Sequence, residues 1–262
     1  MSLFSFVDDA PDPRALVAFL DEAADAESGM KHDALVAHVA RAPSDPILDV
    51  GCGAGHDAVL FARHGLRVIG VDPSAVMIAA SQARSAGVRG VALVRANAAG
   101  LPFHDETFAG CRVERVLMHV EDPGAALREI VRCLRPGGLL TAFEPDWSSF
   151  TVVSDVMDDG AGWISSARHP DAGARLWELV EAAGCTVLDR VEELSVRRSL
   201  ATLERVAGFP LSVERAVAAG RVDREAAREW VVEQRERDAA GRFEARIRKI
   251  HVTATKRGAT AA

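Results

Sequence analysis

The sequence predicts an α/β fold built on a mostly parallel sheet, and three observations predict it. Short apolar runs alternate with amphipathic helical patterns from about residue 46 to 145. Most of those runs are continuous rather than alternating, as in strands covered on both faces. The connections are short, so consecutive strands join through right-handed crossovers.

The strand candidates are Pro46–Val50, Arg67–Val71, Val91–Arg95, Phe108–Val113 and Gly138–Glu144. After the first, Ala58–Ala62 reads as helix and Gly65 as its C′ residue. Pro73 stands where the second helix begins and Gly87 where it ends. Pro123 opens the third; Leu127, Ile130, Val131 and Leu134 keep the i, i+3, i+4, i+7 spacing of one buried face. Arg135-Pro136-Gly137-Gly138 forces a turn before the fifth strand.

The flanks differ in texture. Residues 12–42 read as one or two helices joined around Ser28-Gly29. Residues 147–170 are polar and rich in Gly and Asp, with Trp147, Phe150 and Trp163 interspersed, and fit a loop or lid. Asp171–Ala183 returns to helix and ends at Gly184; Cys185–Val196 looks like a strand. Residues 200–240 are helical, broken at Gly208-Phe209-Pro210 and at Gly220. From Phe243 a final strand alternates through Ala245 and Ile247, then Ile250, Val252 and Ala254. Its phase slips at Arg248-Lys249, which suggests a bulge there.

Composition bounds the function classes. The 262 residues carry a formal charge of −7, with 48% hydrophobic and 26% charged residues, ordinary for a soluble globular chain. At this length roughly 70–75% of the unfolded surface is buried on folding, so no staple is required. Cys52, Cys111, Cys133 and Cys185 form no close pair, which is neither a disulfide framework nor a zinc spacing and fits a reducing cytoplasm. No residue set reads as a metal site. The opening MSLFSFVDDAPDP has no basic n-region and no long apolar run, so no signal peptide is expected. No apolar run reaches the ~18–20 residues of a membrane span. The acidic balance argues against nucleic acid as partner, because phosphate neutralisation supplies most of that affinity. Tyrosine is absent, so no tyrosyl base is available.

The sharpest local signal is Asp49-Val50-Gly51-Cys52-Gly53-Ala54-Gly55, directly between a strand and a helix. Glycines let the backbone turn sharply and let a ligand approach the main chain. Seventeen positions beyond Gly55 stands Asp72, at the end of the second strand, where a carboxylate can accept from both hydroxyls of a ribose. Asp72 also suits an N-cap for the helix at Pro73. A nicotinamide dinucleotide calls for Gly-x-Gly-x-x-Gly; the sixth position from Gly51 is His56, and from Gly53 it is Ala58, so neither register fits. An acid, Asp49, instead precedes the first glycine by two, which suits a ligand carrying an ammonium or sulfonium here.

Five segments occur in order: Ile47 to Gly55; Val71-Asp72-Pro73-Ser74; Asn97 to Phe103; Val116-Leu117-Met118-His119-Val120; and Leu134 to Gly138. Over about residues 45–145 the chain thus resembles the class I S-adenosylmethionine-dependent methyltransferases of the small-molecule type, close to the ubiquinone/menaquinone-methyltransferase-like group. The resemblance implies a Rossmann-like, seven-stranded, mostly parallel sheet whose last strand is antiparallel, with helices on both faces and helical cap and lid additions. It implies one domain over 1–262: an N-terminal helical cap (1–44), a cofactor-binding core (45–146), lid, helices and substrate-binding additions (147–242), and a final strand (243–257).

It further implies S-adenosyl-L-methionine as cofactor and S-adenosyl-L-homocysteine as product. Asp49, Gly51, Cys52, Gly53 and Gly55 would lie near the methionine moiety and Asp72 would hold the ribose. Val71 and Met77 would lie near the adenine, and Pro73 is also expected to bind the cofactor. Asn97 stands where many relatives carry Asp, and the Ala98 N–H would meet an adenine nitrogen. Val113, Glu114 and Arg115 would end the fourth strand beside the sulfonium. Lys31 could pair with the cofactor carboxylate, although a solvated helix lysine explains it too.

Methyl transfer from a sulfonium is an in-line displacement whose leaving group departs neutral, so alignment is the main contribution. A base matters only where the acceptor loses a proton. His119 is the candidate base, with packing in a helix as the alternative. Glu144 is a second catalytic candidate, and Asp146 could orient an acceptor or cap a turn; His169 is a weaker choice. Trp147, Phe150, Trp163 and Phe209 could wall an acceptor pocket or be ordinary core. The expected partner is a small, partly apolar metabolite, accepting at O, N or C in natural product biosynthesis. The expected enzyme is a cytoplasmic monomer or homodimer, with no nucleic acid and no membrane. The alternative is a cyclisation in which the bound sulfonium is only a charge.

Overall fold

The protein is described by a computed structural model over residues 7–9, 12–14, 16–18, 20–21, 37, 45–157, 161–165, 167–207, 209 and 211–258. Seven strands make one sheet: β1 Ile47–Val50, β2 Val68–Asp72, β3 Val91–Arg95, β4 Phe108–Glu114, β5 Leu134–Val152, β6 Cys185–Arg197 and β7 Ala245–Lys256. Their order is β3-β2-β1-β4-β5-β7-β6. The first five strands pair in parallel, and β7 runs antiparallel to both β5 and β6. This is the mostly parallel, Rossmann-like sheet with an antiparallel last strand that the sequence predicts. β1 is buried on both faces along its whole length, as its continuous apolar run requires.

Helices α1 His56–Arg63, α2 Ala75–Arg84 and α3 Pro123–Cys133 form the crossovers. The second starts two residues later than Pro73 suggests, because Ser74 is its N-cap and accepts from the Met77 N–H at 3.1 Å. Asp72 is therefore no N-cap. Asp8, in a 3₁₀ turn at Val7–Asp9, adds a second cap: its carboxylate accepts from the Ala75 N–H at 2.9 Å and the Val76 N–H at 3.2 Å. Residues 13–14, 16–18 and 20–21 are helical. Val7 and Leu16 pack on Met77. Lys31 and the junction at Ser28-Gly29 lie outside the described residues.

The second half departs from expectation in several places, and residues 135–138, expected as a turn before the fifth strand, already belong to β5. Residues 147–152 continue β5 rather than open a lid, and Phe150 is buried. The helix predicted over Asp171–Ala183 is shorter, α4 Leu176–Ala182, with turns before it. The three helices after β6, α5 Leu200–Ala207, α6 Leu211–Ala218 and α7 Arg224–Ala239, break where Gly208-Phe209-Pro210 and Gly220 predict.

The phase slip in the last strand has a different cause from a bulge at Arg248-Lys249. Pairing of β7 with β6 runs unbroken from Thr253↔Asp189 to Ala245↔Arg197. The irregularities lie in the partners, at residues 147–150 of β5 and at Leu188 of β6. What changes is the side on which the core sits. Ile250, Val252 and Ala254 join the main core with Leu127, Ile130, Leu140, Leu176 and Val180. Ala245 and Ile247, on the opposite face, join a second core with Phe150, Val152, Trp163, Phe209 and Trp230. A strand with cores on alternate faces at its two ends switches its apolar residues from odd to even positions without any insertion. All four cysteines are unpaired and buried. No helix among the described residues is long and apolar enough to cross a membrane.

Candidate functional site

Parallel strands that enter a sheet from one end deliver their last residues to one edge, and loops gather there. Asp49 stands next to last in β1, Asp72 last in β2, Glu114 last in β4, and Glu144 in β5 beside that end. The sheet thus brings together carboxylates that lie up to 95 positions apart in the chain.

The glycine loop is shaped by backbone conformations that side chains disfavour. Gly51, Gly53 and Gly55 have φ of 70°, 51° and 82°. The Gly51 and Cys52 N–H groups both donate to the Val71 carbonyl, at 2.7 and 3.0 Å, which fastens the loop to β2. A Cβ on Gly51 would fall 2.2 Å from Val116 Cγ2, and one on Gly55 would fall 2.1 Å from Ser81 Oγ. Glycine at these two positions answers packing as well as torsion. Beside the loop, Leu20 is 3.3 Å from where a Gly53 Cβ would be. Asp21 bridges His56 at 3.0 Å and Arg84, so the N-terminal helical residues lie across this turn.

Asp72 ties the two loops together. Its Oδ2 accepts from the Gly53 N–H at 3.1 Å and its Oδ1 from the Ser74 N–H at 2.9 Å. It is 8% exposed, and burial pushes its pKa up against those two hydrogen bonds. Two oxygens with one N–H each retain lone pairs for further donors such as a ribose diol. Met77 is buried in α2, packed on Val7 and Leu16. Pro73 is exposed, and its carbonyl accepts from Arg95 Nε at 2.8 Å. Asn97 is exposed; its Oδ1 accepts from the Ala99 N–H at 2.9 Å, closing an Asx turn around buried Ala98.

Below the glycines lies a buried ionic cluster that the sequence reading missed. Arg112 of β4 donates from Nη1 to Asp49 Oδ1 at 3.1 Å and from Nη2 to Glu114 Oε2 at 2.6 Å, and it also pairs with Asp57 of α1. Arg115 Nε lies 3.4 Å from Glu114 Oε1. Burial raises the Asp49 pKa to about 6 even with the Arg112 charge opposing it. Asp49 Oδ2 is buried with no hydrogen-bond partner among the described residues. A readable signal existed: an arginine inside an otherwise apolar, doubly covered strand must bring its counter-charges with it. Val113, next to it, is ordinary core.

The turn after β4 is held from two directions. Glu144 Oε1 accepts from the Val116 N–H at 2.8 Å and the Leu117 N–H at 2.6 Å. From outside, the Arg168 and His169 N–H groups donate to the Met118 carbonyl at 2.9 and 3.1 Å. His169 Nε2 lies 3.1 Å from the Val120 carbonyl, which requires the Nε2–H tautomer. His169 is thus a clasp on the turn that carries His119. Burial, then the Arg115 charge, depresses the His119 pKa to about 3. Asp146 proves to be a turn cap: it accepts from the Ser148 N–H at 3.1 Å and pairs with Arg248 at 2.6 Å. Phe150 and Phe209 are buried in the second core, with Trp147 and Trp163 packed against it.

Glu144 is buried, with Oε2 lacking a partner among the described residues, and burial lifts its pKa from 4.5 to about 8. The folded state therefore keeps this proton between pH 4.5 and 8 while the unfolded chain has lost it, so stability falls as pH rises through that window. Glu144→Gln should flatten that slope and leave the variant relatively more stable near pH 8; urea midpoints at about pH 5 and 8 measure it. An undiminished slope would remove Glu144 as its source.

A profile of the family described as "Methyltransferase domain" matches residues 48–142. The demethylmenaquinone methyltransferase of Thermobifida fusca (strain YX) is 30% identical over 190 residues, 65% of this chain and 80% of that protein. A 37.1 kDa protein in transposon TN4556 of Streptomyces fradiae is 32% identical over 224 residues, 82% of this chain and 65% of the relative. The chain spans 39 to 65% of the length of three of the curated relatives that it matches. Among solved structures, the [4+2]-cyclase SpnF superposes with a TM-score of 0.52 at 27% identity, covering 86% of this chain and 80% of that one.

Proposed function

The chain belongs to the class I S-adenosylmethionine-dependent methyltransferase family, and from that premise we propose that it moves a methyl group from S-adenosylmethionine to a small, partly apolar metabolite. The observation that carries this reading is the junction of the two first loops. The Gly53 N–H is fixed on Asp72, and an unpartnered oxygen of Asp49 is buried below the same glycines. Carboxylates on both sides of a cramped glycine turn fit a ligand with a ribose diol and a cationic amino-acid end, and disfavour a pyrophosphate.

When bound, S-adenosylmethionine supplies an electrophilic methyl carbon on a sulfonium whose departure as a neutral thioether needs no acid. Asp72 would hold the ribose, Asp49 the cationic end, and the Gly51–Gly55 backbone the close approach. Met77, Pro73, Asn97 and Ala98 would line the adenine side. The rate would come from alignment. His119 is neutral at pH 7 and a weak proton acceptor, because burial and Arg115 hold its pKa low. It serves as a hydrogen-bond acceptor on the acceptor side rather than as a strong base. His119→Ala should lower turnover by only about tenfold, below the 10²–10⁴ typical of a full general base, with cofactor affinity unchanged. A larger loss confined to high pH would restore the base role.

The acceptor atom is O, N or C, and the setting is natural product biosynthesis in the cytoplasm, by a monomer or homodimer. A second reading is favoured by the likeness to the [4+2]-cyclase SpnF: bound S-adenosylmethionine serves as a charge while the substrate cyclises. Calorimetry with S-adenosylmethionine and S-adenosylhomocysteine tests the cofactor; no binding of either overturns both readings. Counting S-adenosylhomocysteine formed per product separates them, at one for methylation and none for cyclisation.

A further inference from the structure

We propose that Arg112 is a positioning residue for the cofactor's amino-acid end, gathering Asp49, Asp57 and Glu114 around one guanidinium and leaving a buried Asp49 oxygen for a cationic group. The inference rests on the S-adenosylmethionine reading above and adds to it a residue that touches no ligand.

The geometry is specific. Three elements each contribute an acid: β1 Asp49, α1 Asp57 and β4 Glu114. Arg112 Nη1 serves Asp49 and Nη2 serves Glu114 and Asp57, so the two ends of one planar fork fix their relative positions. The side chains of Arg112, Asp49 and Glu114 are 7%, 0% and 6% exposed. An arginine with one acid would be a closed structural pair. Here one guanidinium serves three acids, and it meets Asp49 through Oδ1 alone. Arg115 meets the outer oxygen of Glu114, not Asp49. Among the described residues, the unpartnered acceptor of these contacts is Asp49 Oδ2, on the β1 residue that precedes Gly51 by two. An ammonium is the group that answers this oxygen with both a charge and a hydrogen bond.

Lysine at 112 would keep the charge and lose the fork; methionine would keep the bulk and lose the charge. The charged groups facing Asp49 are Arg112 and Glu114 of β4 and Asp57 of α1. The Cys52 and Cys111 thiols beside it are held neutral by burial. Without Arg112, Asp49 faces only like charges and keeps its proton to higher pH, so the ligand loses an ionised partner at neutral pH.

The experiment is calorimetry of S-adenosylhomocysteine binding to the full chain, native and Arg112→Met, Arg112→Lys and Asp49→Asn, with melting curves for each. Arg112→Met should raise Kd by about tenfold or more at pH 7, with affinity recovering as pH rises from about 6 to 8.5 more steeply than in the native protein. Adding Asp49→Asn to Arg112→Met should change Kd no further, and Arg112→Lys should recover part of the loss. A folded Arg112→Met protein with native Kd and native pH profile overturns the proposal. If Arg112→Met does not fold, Arg112→Lys decides: a lowered melting temperature with unchanged Kd makes Arg112 a structural brace. Native protein that binds no S-adenosylhomocysteine sinks the cofactor reading itself, a different failure.

Discussion

Gly55→Ala is expected to destabilise the protein by about 2–5 kcal/mol, the sum of a left-handed backbone and an impossible contact. At φ 82° an L-residue carries a steric penalty of about 1–2 kcal/mol. The new methyl would also sit 2.1 Å from Ser81 Oγ, 2.9 Å from its Cβ and 3.1 Å from its Cα. A side-chain oxygen alone can rotate away, but the Cα belongs to helix α2 and can move only with the helix. Gly65 supplies the internal control. Its φ is 83°, and nothing lies within 4 Å of a Cβ there. Gly65→Ala should therefore lose only the backbone part, about 1–2 kcal/mol. Urea unfolding of the two variants isolates the packing contribution, and equal losses would mean that α2 yields freely to the glycine loop.

Asp72→Ala should weaken cofactor binding by about 1–3 kcal/mol through lost charge-assisted hydrogen bonds. The same carboxylate anchors the Gly53 and Ser74 N–H groups, so the variant also loosens the first two loops relative to each other. Calorimetry at several pH values separates the two effects. Burial raises the Asp72 pKa, so native affinity should weaken as pH falls toward that raised value, while the variant loses this dependence. A folded Asp72→Ala protein with native affinity would remove the ribose assignment. Asp72→Asn should also bind poorly, because one end of an amide presents a donor to an N–H group that needs an acceptor.

Much of this molecule was legible before folding was considered. Pro46–Val50 and Phe108–Val113 announce themselves as apolar runs because a strand covered on both faces has no polar side to show. Gly65, Gly87 and Gly184 mark helix ends because they supply the left-handed turn there. Asp49, Gly51, Gly53, Gly55 and Asp72 stand out in the sequence because their spacing is local to a strand, a turn and the next strand. Harder to read were contacts between residues far apart. Nothing in the segment around Glu144 announces that its carboxylate will capture backbone N–H groups at 116 and 117. Nor does the periodicity of 243–254 distinguish a bulge from a core that changes sides, because both shift the alternation by one.

The succession of strands and helices along the chain, the glycine turn and the acids that end the strands were thus set by sequence alone. They depend on period, on glycine's torsional freedom and on distances of a few residues. Which charges meet was decided in three dimensions. Arg112 finds Asp49 63 positions away only because β1 and β4 lie side by side, with Asp49 opposite Arg112. Chain folding selects such pairs by burial: once water is excluded, an arginine must lie against acids, and only the packed sheet determines which ones.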